Sequence, residues 1–255
     1  MITVATWNVL HRVHADNWPG PVTEHWPVEA ERIAAVTTAV AKRNEQVIAL
    51  QEVSGDQLAS LRRALPGRVF HVLIYPRVPK SRRIDTVLAD RSESLVVITD
   101  GPSREISAET FDNDPGNGAL AIEFEGLTVV ATHVSGDRRR DAQFQRLAEL
   151  AAAPAIVLGD FNVDRAALAA ALGGDDSVPA ALSGDFTVAE PAPDSLPTRP
   201  RSSGAKSQLI DHVVARGVTV SGVQVEDVAG VSDHNLVRAT VEFVGSPLRT
   251  LRPHR

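Results

Sequence analysis

Short apolar runs alternate with amphipathic stretches along the whole chain. A run of about four to eight apolar residues between turn signals indicates a buried strand, whereas apolar residues spaced three or four apart indicate a helix. We predict helices at 27–43, 55–65, 138–153 and 164–172. We predict strands at 2–9, 46–53, 68–75, 94–99, 119–124, 127–134, 155–161, 208–215, 218–227 and 236–243. Strands outnumber helices, and the Glu-Gly turn between two of them predicts a hairpin, so the pattern indicates sheets with antiparallel pairs.

Three segments lack a regular apolar period. The segment 76–93 is polar, contains prolines and is locally basic, which is typical of a loop. The segment 173–206 is rich in Gly, Pro, Ser and Ala, so we predict long loops with little regular structure there. Residues 11–26 hold three histidines and two tryptophans. They either cover a substrate site, because bases stack on aromatic faces, or pack their tryptophans and leave the histidines exposed.

The organisation of the chain indicates one folding unit. Its 255 residues can form a single α/β or sandwich core, and neither an internal repeat nor a clear linker divides them. We therefore predict a single domain over residues 1–245, followed by a basic C-terminal tail at 246–255. That tail is either a frayed end or a further contact for a polyanion.

Composition narrows the class of protein. The chain is 43% hydrophobic and 23% charged, which is ordinary for a globular protein, and it has no cysteine for disulfides or Cys-ligated metals. Its first residues do not read as a signal peptide, and no apolar run approaches the roughly 20 residues of a membrane helix. We therefore expect a cytoplasmic protein with no membrane span. The formal charge of −6 argues against a protein that coats nucleic acid, but it permits a local basic groove.

Polar side chains stand where predicted strands end. In packed sheets the strand ends at one edge form a common rim, so we expect these groups to converge on one site. The residues concerned are Asn8, Glu52, His133, Asp160, Asn162 and Asp211, together with Asp233 and His234 just before the last strand.

The chemistry of this set points to phosphoester hydrolysis. Carboxylate and amide oxygens are the ligands that Mg²⁺ prefers, and no histidines stand at the spacing of a zinc site. Asp211 could orient the imidazole of His234 and leave its other ring nitrogen to activate water. A divalent metal, Mg²⁺ or Mn²⁺, together with an oriented base is what this reaction requires.

Six short motifs occur in the order and rough spacing of a known superfamily. They are "WNV" (7–9), "LQEV" (50–53), "THV" (132–134), "GDFN" (159–162), "IDHV" (210–213) and "SDHN" (232–235). In these the chain resembles the endonuclease/exonuclease/phosphatase, or DNase I-like, superfamily. The resemblance implies an α/β fold, a four-layer α/β/β/α sandwich of two mostly antiparallel sheets. One position departs from the pattern, because Leu209 stands where the family often has an arginine.

The resemblance also implies roles for the strand-end residues. Glu52 would be the direct metal ligand, with Asn8 and Asp233 at the metal site. His133 and Asn162 would contact the scissile phosphate, and Asp160 would align or deprotonate the attacking water. His234, polarised by Asp211, would be the base or a phosphate-stabilising group. Glu93 is a candidate partner for His133, and it could equally be a solvated strand-end acid.

Two basic runs, at 77–83 and 138–140, could bind substrate phosphates, with Arg82, Arg83, Arg138 and Arg139 as the candidates. The alternative is that both runs are solvated faces. We expect a phosphodiesterase or nuclease acting on DNA or RNA. The alternatives are a phosphatase for a small phosphorylated metabolite or lipid headgroup, and an inactive relative that binds a partner through the same surface.

Overall fold

The computed structural model describes residues 1–18, 20–82, 85–173, 186–200 and 207–243. The strands are β1 Ile2–Asn8, β2 Val47–Ser54, β3 Val69–Ile74, β4 Glu93–Thr99, β5 Ser103–Phe111, β6 Asp114–Phe124, β7 Leu127–His133, β8 Ala155–Asp160, β9 Phe186–Val188, β10 Asp211–Arg216, β11 Val218–Glu226 and β12 Leu236–Phe243. The helices are α1 Arg12–Asn17, α2 Pro21–His25, α3 Glu29–Ala41, α4 Gly55–Ala64, α5 Arg140–Leu150 and α6 Arg165–Leu172.

The strands form two six-stranded sheets. The first has the order β11-β12-β1-β2-β4-β3 and the second has the order β5-β6-β7-β8-β10-β9. In each sheet one neighbouring pair is parallel, β1 with β2 and β7 with β8, and the other pairs are antiparallel. The two sheets are therefore mixed but mostly antiparallel, as the sequence predicts.

Three apolar cores separate four layers. Between the sheets, Val4 and Val47 of the first sheet belong to the same core as Leu120 and Ile156 of the second. On the outer face of the first sheet, residues such as Trp7 pack against α3 and α4. On the outer face of the second sheet, α5 and α6 provide the cover. Central strands are thus buried on both faces, which explains their nearly continuous apolar sequences. The α/β/β/α sandwich is confirmed.

The parallel pairs position the polar rim. Parallel strands end at the same edge of a sheet, so the residues at their carboxyl ends become neighbours. Asn8 lies opposite Gln51 in the first sheet, and His133 lies opposite Asp160 in the second. Asp211 begins an antiparallel strand and also lies opposite Asp160. The strand register alone therefore brings three of the predicted site residues side by side.

Most predicted elements are present, with ends that differ by a few residues. The predicted hairpin turn is confirmed, with positive φ angles of 50° at Glu125 and 80° at Gly126. Three features were missed. Strand β5 has half-exposed or exposed residues along most of its length, and so has no clean apolar alternation. The stretches Arg12–Asn17 and Pro21–His25 form two short helices, and β9 lies within the segment predicted as loops.

Two further predictions concern the C-terminal tail and membrane-spanning segments. The basic tail predicted at 246–255 lies outside the described residues. Within the part of the chain that is described, no helix is long and apolar enough to cross a membrane.

Candidate active site

The structure brings the predicted strand-end residues together at one edge of the sandwich, where both sheets contribute. They surround a cavity of about 180 Å³. Asn8 and Asp211 lie beneath it and are joined by hydrogen bonds to residues of its wall. The predicted residues that line the cavity are Glu52, His133, Asp160, Asn162, Asp233 and His234.

Asn8 connects the two sheets beneath the cavity. Its Nδ2 donates to Glu52 Oε1 at 2.8 Å and to Asp160 Oδ2 at 3.1 Å, while its Oδ1 accepts from the backbone N of Leu10. One amide therefore orients a carboxylate from β2 and a carboxylate from β8. Because Asn8 is 1% exposed, these bonds do not compete with bulk water.

Local backbone geometry directs the site residues into the cavity. The pairing of β2 with β4 shifts register between Leu50 and Val53, and Glu52 within this bulge has a φ of 57°. Such bulges re-aim side chains, and they often stand beside functional sites. Asn162 has a φ of 52°, a conformation that asparagine tolerates better than most residues.

Gly159 is required by the close approach of β7 and β8. It has a φ of 151°, and an added Cβ would lie 2.0 Å from the carbonyl oxygen of Thr132. A larger residue would push the two strands apart at the point where His133 lies opposite Asp160. The glycine of the "GDFN" motif therefore holds the next residue at its place in the site.

The Asp160 carboxylate lies between two imidazoles. Its Oδ2 is 3.7 Å from His133 Nε2 and 3.8 Å from His234 Nε2. Its Oδ1 accepts from the backbone N of Asn162 at 2.9 Å. Burial and the neighbouring Asp211 raise the pKa of Asp160, and the two histidines oppose this increase. A buried carboxylate with a raised pKa is a good proton acceptor.

His234 is held by groups on three sides. Its Nδ1 is 2.9 Å from Asp211 Oδ2, and its carbonyl oxygen accepts from the indole of Trp7. Ser232 accepts from the backbone N of His234 and donates to the carbonyl of Asn8. Burial alone would lower the pKa of His234, but Asp211 and Asp160 raise it to about 10.

A second histidine–carboxylate pair, His14 and Glu93, lies near Glu52. His14 Nε2 lies 3.3 Å from both carboxylate oxygens of Glu93. Burial opposes ionisation of both Glu52 and His14, but the attraction between them prevails. The pKa of Glu52 is lowered to about 2, and the pKa of His14 is raised to about 9. Glu93, the candidate partner of His133, is thus paired with His14, while His133 Nδ1 is buried without a hydrogen-bond partner among the described residues.

Seven residues of the segment 11–26, at positions 14, 15, 18 and 20–23, line one side of the cavity. His14 and Trp18 are both in its wall, and Trp18 is 71% exposed. The guanidinium of Arg82 lies 5.4 Å from the Trp18 ring centre, within the range of a cation–π contact. Asn17 bonds the backbone of Lys80 and Arg82, which ties this segment to the basic loop that follows β3.

The predicted phosphate-binding arginines have different environments. Arg82 stacks on Trp18, Arg138 is exposed, and Arg139 forms ion pairs with Asp114 and Asp137. Arg83 lies outside the described residues. Arg199 was missed because it stands in the segment predicted as loops, yet it lines the cavity and bonds Asp233 at 3.1 Å.

The donor set fits a hard divalent cation. Glu52 and Asp160 are charged or ionisable oxygen donors joined by one amide, and Asp233 Oδ1 is buried without a hydrogen-bond partner in the described chain. Such oxygen-rich surroundings suit Mg²⁺ and Mn²⁺. A buried set of Asp160, Asp211 and His234 also has ligand atoms close enough for a cation.

Comparison with known protein families gives a match over most of the chain. The model of the Endonuclease/Exonuclease/phosphatase family matches residues 5–234. None of the curated proteins compared with the chain matches it in sequence.

Solved structures share the fold at low sequence identity. An endonuclease/exonuclease/phosphatase from Bacteroides vulgatus has a TM-score of 0.67 and 17% identity, covering 95% of this chain and 98% of that one. D. rerio TDP2, solved with a single-strand DNA product, has a TM-score of 0.64 and 16% identity, covering 94% and 98%. The human Nocturnin catalytic domain, solved with a bound sulfate, has a TM-score of 0.65 and 15% identity, covering 95% and 93%.

The fold, two mixed sheets covered by outer helices, is DNase I-like. The polar site at the edge that the sheets share is where a hydrolase of this class has its catalytic groups. The chain belongs to the endonuclease/exonuclease/phosphatase family.

Proposed function

We propose that the protein is a divalent-metal-dependent phosphodiesterase that cleaves DNA or RNA by attack of water on a backbone phosphate. The observation that carries this proposal is the Asp160 carboxylate, which is buried between His133 and His234. Asn8 ties it to Glu52 on the other sheet. This arrangement supports phosphoester hydrolysis, because catalysis of that reaction consists mainly of positioning and charge stabilisation.

Each site residue has a role that its contacts support. Asp160 would orient the attacking water and accept its proton, because its Oδ2 faces the histidines while Oδ1 is held by a backbone N–H. His133 and His234 would donate to oxygens of the scissile phosphate. Asn162 uses one amide hydrogen on the carbonyl of Val134, and its second could bind the phosphate. Asp211 would position His234.

Mg²⁺ or Mn²⁺ would be held by Glu52, with Asn8 and Asp233 close by. When bound, such a cation supplies positive charge that stabilises the oxygens of the substrate phosphate. The chain itself already orients the Glu52 carboxylate, because Asn8 bonds one oxygen and the backbone N of His11 bonds the other at 3.0 Å.

The surroundings of the cavity favour a nucleic acid. Trp18 offers an exposed aromatic face on which a base can stack, and Arg82 and Arg199 bring positive charge to the same opening. Among similar structures, D. rerio TDP2 is complexed with single-strand DNA product. A single-stranded segment would fit this combination of one aromatic face and nearby arginines.

The second candidate is a phosphatase for a small phosphorylated metabolite or lipid headgroup. The observation that favours it is the small cavity of about 180 Å³, together with a formal charge of −6. A small phosphomonoester needs less positive surface than a polynucleotide does. Release of phosphate from monoesters, without cleavage of oligonucleotides, would favour this candidate.

An activity panel tests both candidates. Wild type, Asp160→Asn and the matched control Asp100→Asn, which replaces an exposed acid at the end of β4, would be assayed with Mg²⁺, Mn²⁺ or EDTA. Substrates would be single- and double-stranded DNA and RNA oligonucleotides, bis-p-nitrophenyl phosphate and p-nitrophenyl phosphate. We expect metal-dependent oligonucleotide cleavage that Asp160→Asn abolishes and Asp100→Asn retains. No cleavage of any oligonucleotide at any salt or metal concentration would overturn the nuclease proposal.

The metal role has its own test, which does not depend on activity. Titration calorimetry with Mn²⁺ should detect binding to wild type that Glu52→Gln weakens by at least about tenfold. Glu45→Gln serves as the control, because it removes a buried carboxylate that pairs with Arg43 near the opposite end of β2. Equal Mn²⁺ affinity in wild type and Glu52→Gln would exclude Glu52 as the ligand.

A further inference from the structure

A second polar cluster surrounds the carboxylate of Asp114 at the start of β6. Asp114 is 0% exposed and accepts from Ser135 Oγ at 2.7 Å, Asn117 Nδ2 at 2.8 Å and the backbone N of Gly116 at 3.2 Å. Burial would raise the pKa of Asp114, but these bonds and the charge of Arg77 lower it. Three neutral donors therefore already hold a charged carboxylate inside the protein.

Two arginines from separate loops bind the same carboxylate. Arg77 Nη1 lies 2.8 Å from Asp114 Oδ1, and Arg139 Nη1 lies 2.9 Å from Asp114 Oδ2. The Arg77 side chain is 51% exposed and the Arg139 side chain is 40% exposed, so both also reach solvent, where Arg139 Nε bonds Asp137 at 2.9 Å. A guanidinium has five N–H donors in a planar fork, and such forks bind phosphate through paired hydrogen bonds.

The backbone is shaped to receive one of these arginines. An added Cβ at Gly116 would lie 2.0 Å from Arg77 Nη2 and 2.2 Å from its Cζ. Only a residue without a side chain lets the guanidinium lie flat against β6 while it bonds Asp114. Arg77 is also fixed through its backbone N, which donates to the carbonyl of Pro115. The arginine is therefore pre-organised, so less side-chain entropy is lost when it binds a ligand.

The cluster adjoins the proposed active site. Ser135 follows His133 by two residues, and an added Cβ on Gly136 would lie 3.7 Å from Asn162 Oδ1. On the other side, the charge of Arg77 acts on His14 in the cavity wall. Ser135, which bonds Asp114, and Gly136 thus connect the two arginines to the groups proposed to contact the scissile phosphate. Because the two arginines share one carboxylate, they are close enough to bind one phosphate together.

We propose that Arg77 and Arg139, held together by Asp114, form a subsite for a second phosphate of the substrate. This inference rests on the proposed function, because it takes the scissile phosphate to lie at His133 and Asn162. The second phosphate is either the next one along a polynucleotide or a further phosphate of a small multiply phosphorylated molecule. Both have the chemistry that two convergent guanidinium groups recognise.

The test compares substrates that have one phosphate with substrates that have several. Wild type, Arg77→Gln, Arg139→Gln and the double variant would be assayed on bis-p-nitrophenyl phosphate and on a DNA or RNA oligonucleotide. Arg146→Gln is the matched control, because that α5 arginine pairs with Glu109 and Glu149 instead. Thermal unfolding checks that each variant folds, and the single variants retain one counter-charge for Asp114.

We compare kcat/KM for the oligonucleotide with kcat/KM for bis-p-nitrophenyl phosphate. In the double variant the ratio of these two values should fall by at least about tenfold, mainly because KM for the oligonucleotide increases. The binding constant for a single-stranded oligonucleotide should also depend less on salt. The slope of its logarithm against the logarithm of the salt concentration should become less steep by about 0.7 for each substrate phosphate that the variant no longer neutralises. An unchanged ratio, or an equal decrease on both substrates, would overturn the subsite.

If wild type cleaves no oligonucleotide, the nuclease proposal fails but the subsite is still tested. With the free metal concentration held constant, pyrophosphate should then inhibit hydrolysis of bis-p-nitrophenyl phosphate more strongly than inorganic phosphate does, and the double variant should lose this difference. Retention of the difference in the double variant would overturn the subsite.

Discussion

His234 Nδ1 lies 2.9 Å from Asp211 Oδ2, and both side chains are almost completely buried. With this nitrogen committed to Asp211, the other ring nitrogen lies on the Asp160 side, 3.8 Å from its Oδ2. The two residues come from different segments of the chain but meet where β10 begins. Asp211 therefore fixes both the orientation and the charge of the imidazole.

Replacing Asp211 with Asn should lower activity without unfolding the protein. The amide keeps the shape of the side chain but removes the charge that stabilises the His234 imidazolium. We expect kcat on bis-p-nitrophenyl phosphate to fall by about 100-fold or more, with KM changed by less than about threefold. Asp227→Asn, at an exposed acid before β12, should behave as wild type. A kcat within about threefold of wild type would show that Asp211 does not position a catalytic group.

The strand-end chemistry could be predicted because it depends on local pattern. A polar residue beside the end of an apolar strand lies at a sheet edge, so Asn8, Asp160 and His234 could be assigned to one rim from the sequence. The parallel pairing of β7 with β8 then places His133 opposite Asp160, and the amide of Asn8 links Asp160 to Glu52 of the other sheet. The missed features depend on long-range contacts. His14 meets Glu93 across 79 residues of sequence, and no local pattern indicates that contact.

The other missed features have equally physical causes. Strand β5 is an edge strand whose side chains are partly exposed on both faces, so it lacks the alternation that identifies a half-buried strand. Arg199 reaches the cavity from a segment whose composition indicates only loops. Arg77 stands in a basic run like many solvated ones, and its significance comes from the buried Asp114 that binds it.

Trp18 should contribute to the binding of single-stranded substrate. Stacking of one base on an aromatic side chain is worth about 1–3 kcal/mol, so Trp18→Ala should weaken oligonucleotide binding by about 5- to 150-fold. Trp18→Phe should retain most of the affinity. Fluorescence anisotropy in an Asp160→Asn background measures binding without cleavage. If alanine and phenylalanine at this position give the same affinity as tryptophan, the exposed ring does not stack on substrate.

Gly159→Ala should be strongly destabilising. The new Cβ would lie 2.0 Å from the carbonyl oxygen of Thr132, so β7 and β8 would have to separate. We expect the free energy of unfolding to fall by about 2–4 kcal/mol in chemical denaturation. Gly67→Ala is the control, because no atom outside its neighbours lies within 4 Å of a Cβ there, and its effect should be below about 1 kcal/mol. Equal stability of the two variants would contradict the close-approach explanation.

His212 should make the protein less stable in mild acid. It is 4% exposed, packs against Phe161 and has its Nε2 2.9 Å from the carbonyl oxygen of Val163. Burial lowers the pKa of His212 below its ordinary value of 6.5, and the Val163 carbonyl and Asp211 only partly oppose this. Below pH 6.5 the unfolded chain therefore binds a proton that the folded chain does not, and the free energy of unfolding decreases as pH falls.

Each unit by which the pKa is lowered is worth about 1.4 kcal/mol once the pH is below the folded-state value. His212→Gln keeps a donor for Val163 but has no group that titrates in this range. The free energy of unfolding of both proteins is measured by denaturation from about pH 7.5 to about pH 5. As the pH falls, the value for wild type should decrease more than the value for His212→Gln. Other buried histidines titrate equally in both proteins, so the difference isolates His212. A difference that stays constant over this range would mean that His212 has the same pKa in the folded and unfolded chains.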